Sequence, residues 1–343
     1  MKLLQDNKIY SNNLTFLDFC AGIGGGRLGL TQHGLMCLGH SEIDEMTAFT
    51  YASIHKDNRN YGDLMKVNPK ELPNFDVLIS GFPCQAFSIV GKRKGFEDSR
   101  GIIINGLIDI LKEKNVPYFI FENVKGLVNH DQGHTFQTIL KKLDQAGYYV
   151  SFKVLDSINF GVPQMRERIY LFGYKKDLGF LDFSFDNLKQ AFKCHIKDFL
   201  IDENNQELNR EDATFVKYLN NKYNKGKFNL DDLLAQDYLV IDTRQSDLRL
   251  YHYKVPTLRT GRHGILYVKN KKLKKLSAKE AFLLQGFSED HAEIAISCGV
   301  STTKLLSMAG NAMTVNVIAA IGQELLRSIE ERSNYHVVRV ANS

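Results

Sequence analysis

A single cysteine, Cys84, follows Gly81-Phe82-Pro83 directly after Phe75 to Ser80, an apolar run with the composition of a buried strand. A few per cent of such a thiol is ionised near neutrality, and the thiolate is intrinsically very nucleophilic. A lone cysteine is more commonly an inert packed residue. Here the Pro-Cys turn at a strand end, with Lys92-Arg93-Lys94 shortly after it, favours the reactive reading. Further on, Phe121-Glu122-Asn123 ends another β-rich run, and Gln164-Met165-Arg166-Glu167-Arg168 precedes a third. A carboxyl and two guanidiniums on one sheet edge form either a structural ion pair or a device for holding a proton beside the nucleophile.

A second group lies upstream. Asp18-Phe19-Cys20-Ala21-Gly22-Ile23-Gly24-Gly25 is a glycine-rich turn between a strand pattern and a helix pattern, and Glu42 ends the next strand pattern. Glycines let a backbone approach a ligand closely, and a carboxylate at that distance accepts hydrogen bonds from ribose hydroxyls. A nicotinamide dehydrogenase shows similar features, and a glycine turn that only packs strand on helix is equally compatible. Asp63, after Gly62, stands where a third strand would present an acid to an adenine amino group, although an Asp after a Gly is often only a turn residue.

These residues need a scaffold that gathers strand ends. The first half supplies one: strand patterns at Leu14–Cys20, Met36–Glu42, Phe75–Ser80, Tyr118–Glu122, Val150–Leu155 and Arg168–Tyr174 alternate with helix patterns through His33 and at Met46–His55, Ile102–Lys114 and Thr135–Ala146. The expected fold class is α/β, a doubly wound and mostly parallel sheet with ligands beyond the carboxyl ends of its strands. After Leu178 the alternation stops. A polar stretch, Asp202 to Asp232, separates it from a basic segment, and a helical pattern from Leu305 to Ile329 is apolar enough to pack back on the first domain. The expected division is residues 1–180, a smaller lobe at 181–304, and a returning helix at 305–343.

Composition narrows the function. Five cysteines, none in a C-x-x-C pair or beside His at ligand spacing, argue against structural zinc and against a disulfide framework. Met1 to Asn13 has no apolar core of signal-peptide length, and no run approaches the roughly 20 apolar residues of a membrane span, so a cytoplasmic protein is expected. The net charge of +5 is unevenly placed: Arg244 to Lys275 holds ten Lys/Arg against Asp247 alone. Such a segment suits phosphate neutralisation on a nucleic acid, or is a solvated lysine surface at Lys271, Lys272, Lys274 and Lys275.

Taken together, these motifs resemble the bacterial C5-cytosine-specific DNA methyltransferase family of restriction-modification type. The match runs through Asp18–Gly25, Glu42, Gly62-Asp63, Gly81–Ser88, Glu97–Gly101, Glu122-Asn123-Val124, Gln164–Tyr170, Leu276–Phe287 and Gly310-Asn311-Ala312, in family order. The resemblance implies a Rossmann-like S-adenosylmethionine-dependent methyltransferase with a smaller target-recognition lobe. Cys84 would add to carbon 6 of a flipped cytosine, and Glu122 would hold a proton at N3. Arg166 and Arg168 would orient that carboxyl and the cytosine O2.

It further implies a cofactor site built from Cys20, Ala21, Gly22, Ile23, Gly25, Glu42, Ile43, Asp63, Leu64, Gly81, Pro83, Asn311 and Ala312. Contacts to double-stranded DNA would come from Gln85, Ser88, Ile89, Lys92 and Arg93 in a mobile loop, Gln85 to Arg100, and from Thr257, Leu258 and Arg259 in the lobe. A monomer working beside a separate restriction endonuclease is expected. Cys20 and Ile43 depart from the aromatic residues the family often places there, and Ala312 from its usual Ser. A tRNA methyltransferase of this fold would carry a Cys-Phe-Thr signature and an amino-nitrogen DNA methyltransferase a Pro-Pro-aromatic motif, neither of which is present. An inactive DNA-binding regulator would not need Cys84, Glu122 and Arg166 together.

Overall fold

The apolar runs become strands β1 (Thr15–Phe19), β2 (Met36–Ser41), β3 (Val77–Ser80) and β4 (Tyr118–Val124), with helices α1 (Gly25–Thr31), α2 (Glu45–His55) and α3 (Ile102–Glu113) between them. Helix α4 (His134–Gln145) leads to β5 (Tyr148–Asp156), β6 (Gln164–Met165) and β7 (Glu167–Lys175). The computed structural model describes residues 14–83, 102–191, 194–203, 205–209 and 212–341. Cys84, Gln85, Ser88, Ile89, Lys92 and Arg93 lie outside the described residues.

One six-stranded sheet runs β2-β1-β3-β4-β7-β5. The first four strands are parallel, and β7 runs antiparallel to both β4 and β5. Strands buried on both faces need apolar residues throughout rather than alternation. In β1, Phe16 joins the cluster on one face while Leu17 and Phe19 join the cluster on the other. Helix α4 buries Phe136, Ile139 and Leu143 at helical spacing and leaves its lysines outward. The chain passes from β1 outward to β2 and then returns to place β3 on the other side of β1. The crevice between the ends of β1 and β3 is therefore the topological switch point where such sheets bind ligands.

The polar stretch 202–232 is not a plain connector. It forms β8 (Glu207–Leu208), α5 (Ala213–Leu219) and α6 (Leu230–Leu234), followed by β9 (Val240–Asp242), β10 (Arg249–Tyr251), β11 (Val255–Pro256), β12 (Ile265–Lys269) and β13 (Lys272–Lys275). These build a five-stranded antiparallel sheet, β10-β9-β12-β13-β8, over a core of its own containing Phe215, Leu239, Ile241 and Val268. Buried Asn224 braces the β9–β10 turn, donating to the Tyr218 and Ser246 carbonyls and accepting from the Leu248 amide.

Packing runs across both residue 180 and residue 304. Leu181, Phe183, Phe185 and Leu188 belong to the core of the first sheet. Helices α7 (Ala278–Leu283), α8 (Glu289–Ser297) and α9 (Thr302–Asn311) share a cluster with Ile23 and Ile54 of the first domain as well as Val255 and Ile265 of the lobe. The helical pattern expected from 305 to 329 is two helices, α9 and α10 (Val315–Ala341), because the chain breaks at Ala312-Met313-Thr314. At the break the Ala312 carbonyl is taken by Arg166, and the Val315 amide donates to the Gln285 carbonyl. The stretch Thr302–Ser333, across α9 and α10, is long and apolar enough to satisfy a membrane span by composition, but it is mostly buried, with Ile318, Ile321 and Leu325 packed on the sheet.

Helices α1 and α10 meet at Gly29, where an added Cβ would stand 2.6 Å from the Ile318 Cβ and 2.8 Å from the Val315 carbonyl oxygen. Gly29→Ala is expected to destabilise the fold by about 1–2 kcal/mol net of its gain in helix propensity. Urea unfolding checks this; an equal or higher midpoint would contradict the close packing.

Candidate active site

A cavity of about 420 Å3 opens at the switch point. Its floor is made by residues that end parallel strands: Cys20 and Gly22 after β1, Ser41 and Glu42 after β2, Gly81 to Pro83 after β3, and Glu122 to Val124 in β4.

The glycine turn is shaped by its backbone. Cys20 has φ 51° and Gly22 φ 57°, turn positions on either side of Ala21 in the left-handed region that Gly22 tolerates and Cys20 must strain to adopt. An added Cβ at Gly22 would meet nothing within 4 Å, so the space over this glycine is open to a ligand. The Glu42 carboxylate accepts from the Gly22 amide at 2.9 Å and the Asp44 amide at 2.9 Å, which fixes it between the turn and α2. Beneath the turn, His55 Nε2 lies 3.0 Å from the Ile23 carbonyl, the His40 ring stacks on Tyr51 at 3.7 Å, and Tyr51 meets the His55 ring tilted at 4.3 Å. Burial depresses both histidines, His40 to about 4 and His55 to about 3, and holds the Asp18 carboxyl well above the usual range. The imidazoles are therefore neutral in the fold, and His55 donates to Ile23.

Several expected cofactor residues line the cavity: Cys20, Gly22, Glu42, Ile43, Asp63, Leu64, Gly81, Pro83 and Asn311. Asp63 caps the short turn Leu64–Lys66 by accepting from the Met65 amide. Ala21, Ile23, Gly25 and Ala312 are not among the lining residues and instead hold the walls. Ala21 donates to the Ser41 carbonyl, and an added Cβ at Gly25 would stand 2.2 Å from the Met313 carbonyl oxygen. A carboxylate for a ribose diol, an apolar slot of Ile43, Leu64, Met65 and Met308, and open space over Gly22 fit an adenosyl ligand.

Glu122 is 7% exposed, with Oε1 3.2 Å from Arg168 Nε but without an aligned hydrogen bond, so this buried oxygen retains capacity for another partner. Asn123 donates to the Phe82 carbonyl at 2.9 Å and so pins the turn that leads into Cys84. Burial pushes the Cys20 thiol up to about 12 and Cys37 to about 11, which keeps both as unreactive thiols.

Two expectations need correction. Arg166 makes no hydrogen bond to Glu122. Its side chain is fully buried and points its Nη atoms at main-chain carbonyls: Nη1 donates to Gly310 at 3.1 Å and Leu258 at 3.4 Å, and Nη2 to Ala312 at 2.9 Å. Burial and the neighbouring Arg168 push it down to about 9, still cationic at neutral pH. Leu258 and Thr257, expected at the DNA, are also turned inward. Leu258 donates its amide to Gln164 Oε1, and the Thr257 hydroxyl donates to the Met165 carbonyl, in line with the β11–β6 pairing. Arg259, next in sequence, is exposed.

The basic segment also divides. Lys269 pairs with Glu203, Lys272 and Lys274 with Glu207, Arg244 with Asp242, and Arg249 with Asp247. Lys254, Arg259, Arg262, Lys271 and Lys275 have no salt bridge to an acid among the described residues. Their local excess of charge was legible in sequence, but the compensation from β8 was not, because those acids lie more than sixty residues away.

The described part of the site thus holds a buried carboxyl with one oxygen free of hydrogen bonds, an arginine beside it, the pinned turn that leads to Cys84, and an adenosyl-sized cavity. The family model for the C-5 cytosine-specific DNA methylases matches residues 14–327. The chain belongs to that family. A Type II methyltransferase of Bacillus subtilis, M.BsuFI, is 38% identical over 315 residues, spanning 90% of this chain and 71% of the relative. M.Bsp6I, a Type II methyltransferase of Bacillus sp. (strain RFL6), is 33% identical over 322 residues, spanning 90% and 97%. The solved Entamoeba histolytica methyltransferase EhMeth shares the fold with a TM-score of 0.68 at 18% identity, over 93% of this chain and 99% of that one. As a member, the chain is a DNA (cytosine-5) methyltransferase whose methyl donor is S-adenosylmethionine. Ser307, Met308, Lys304 and Asp44 also line the cavity and were not anticipated from sequence, since none lies in a glycine or strand-end motif.

The buried neutral histidines set a pH dependence. The unfolded chain takes up protons below about pH 6.5 that the fold refuses, so their stabilisation is present above 6.5 and is lost as pH falls toward 4 and 3. His55→Gln keeps a donor for Ile23 without the titration. Its loss of stability between pH 7.5 and 5.5 is expected to be about 1.4 kcal/mol smaller than that of the unsubstituted chain. Identical acid sensitivity by thermal melting would show that His55 titrates normally in the fold.

Proposed function

We propose that this methyltransferase modifies cytosine within one short DNA sequence by covalent catalysis from Cys84, with Glu122 and Arg168 as its partners. The observation that carries the residue assignment is the meeting of Glu122, Arg168 and the Asn123-pinned Phe82-Pro83 turn in one cavity. Cytosine carbon 5 is a poor nucleophile. Addition of the Cys84 thiolate at carbon 6 breaks the 5,6 double bond and moves its electron pair toward carbon 5, while Glu122 gives a proton to N3 and Arg168 steadies the resulting carboxylate. S-adenosylmethionine supplies the electrophilic methyl group. Loss of the proton from the substituted carbon 5 restores the double bond and expels Cys84 as thiolate, and N3 returns its proton to the Glu122 carboxylate. Glu42, Asp63, Gly22 and Asn311 would hold the cofactor, with Cys20, Ile43 and Leu64 packing on its adenine.

The base must leave the duplex to reach this cavity, at a cost of a few kcal/mol. Arg259, Arg262 and Lys254 are our candidates for phosphate contact, with Gln85, Ser88, Ile89, Lys92 and Arg93 closing over the flipped base. The Type II relatives favour a restriction-modification setting in which a separate endonuclease cuts unmodified DNA. A cytoplasmic monomer suits that role, since one chain carries every assigned group.

Bisulfite sequencing of a mixed-sequence plasmid, after incubation with protein and S-adenosylmethionine, is expected to show methylcytosine confined to one motif. Cys84→Ala is expected to remove all of it while cofactor binding survives, and near-normal methylation would exclude Cys84. Glu122→Gln should lower the single-turnover rate on the order of 100-fold or more with DNA affinity kept. For the interface, Arg259→Ala and Arg262→Ala should weaken DNA binding and flatten its salt dependence, whereas Lys272→Ala should change neither. The reverse pattern would restore the lysine cluster as the phosphate site.

A further inference from the structure

Lys304 stands in the first turn of α9, at a helix N-terminus, where the helix dipole disfavours a cation. Its Nζ reaches across the cavity to Asp44 Oδ2 at 2.7 Å, a pair 260 residues apart in sequence. Asp44 divides its oxygens: Oδ1 caps α2 by accepting from the Thr47 amide and hydroxyl at 2.9 and 2.7 Å, and Oδ2 is given to Lys304. Lys304 draws the Asp44 carboxyl down to about 2, so the carboxylate is ionised at neutral pH. Both side chains are more than a third exposed, and a pair so placed contributes little to folding. A local preference broken without a gain in stability points to a role in the site.

Position supplies that role. Ile43, Asp44 and Thr47 form one wall of the cavity, and Lys304, Ser307, Met308 and Asn311 form the facing wall along α9. Among the described residues, Lys304–Asp44 is the only ion pair joining the two. It sits seven residues before Asn311, which on a helix is about 10 Å from the end nearest Arg166 and Glu122. We propose that Lys304 and Asp44 form an ionic strap across the outer end of the cofactor cavity, positioning residues that set how long an S-adenosyl ligand stays bound. The proposal rests on this cavity being the cofactor site.

Asp44→Asn keeps the cap on α2 through its amide oxygen and removes the charge; Lys304→Gln removes the other partner. Dissociation of radiolabelled S-adenosylmethionine, followed by rapid filtration after an unlabelled chase, is expected to be about 3- to 10-fold faster in each variant. The double variant should be no faster than the singles, since one interaction is lost in all three. Raising salt from about 50 to 500 mM should speed release from the unsubstituted chain and not from the variants. Lys304→Arg should restore slow release. Unchanged rates in both single variants, multiplying effects in the double, or equal salt dependence throughout would overturn the strap. If the unsubstituted chain binds no S-adenosylmethionine, the cofactor reading falls as well; binding with unaffected variants overturns the strap alone.

Discussion

A guanidinium in a protein interior must have its donors met, because removing the charge from water without partners costs several kcal/mol. Arg166 meets this condition at both Nη atoms, though not at Nε, with three carbonyls that belong to separate parts of the chain, Leu258 from the second lobe and Gly310 and Ala312 from the end of α9. Gln164 does the same beside it, accepting from the Leu258 amide and donating to the Leu284 carbonyl. Gln285 continues the network by donating to the Ala309 carbonyl and accepting from Thr314, whose hydroxyl also meets Ser157. Each of these side chains is almost fully buried, so none can lose its partner cheaply. The cofactor wall, the second lobe and the strand that carries Arg168 hold a single relative arrangement because these bonds must be made together.

That arrangement explains why the chemistry is spread through sequence but compact in space. Glu122 and the turn before Cys84 come from adjacent strands β4 and β3, whose register is fixed by parallel pairing from Val77 to Ser80. Arg168 comes from β7, antiparallel to β4, with Val124 opposite it. The carboxyl and its arginine are thus close neighbours across one strand pair.

Strand and helix patterns in the first half were legible because buried parallel strands are written as continuous Val, Ile, Leu and Phe runs, and Glu122, Arg168, Glu42 and Gly22 could be placed from them. What escaped was whatever depended on partners distant in sequence. The pattern from Leu305 to Ile329 has unbroken helical periodicity, and only the demands of Arg166 and Gln285 divide it. Arg166 reads as a ligand-facing arginine beside Arg168, yet side chains two apart on an extended chain share a face only while the strand continues, and β6 ends just before it. Lys269, Lys272 and Lys274 belong to a basic run on paper and are ion-paired in space. Asp44 lies in none of the motifs read from sequence, and its second oxygen is used by a residue from the far end of the chain.

The bonds that Arg166 and Gln164 make to the second lobe, and the one that Gln285 makes to α9, all end on main-chain atoms. A carbonyl of Leu258 is the same carbonyl whatever side chain stands there, so these bonds do not depend on the residues the lobe displays at its surface. The lobe can accumulate substitutions, or be exchanged for another of like backbone, without disturbing the catalytic half. An enzyme built this way can drift toward new target sequences while its chemistry stays under strict selection.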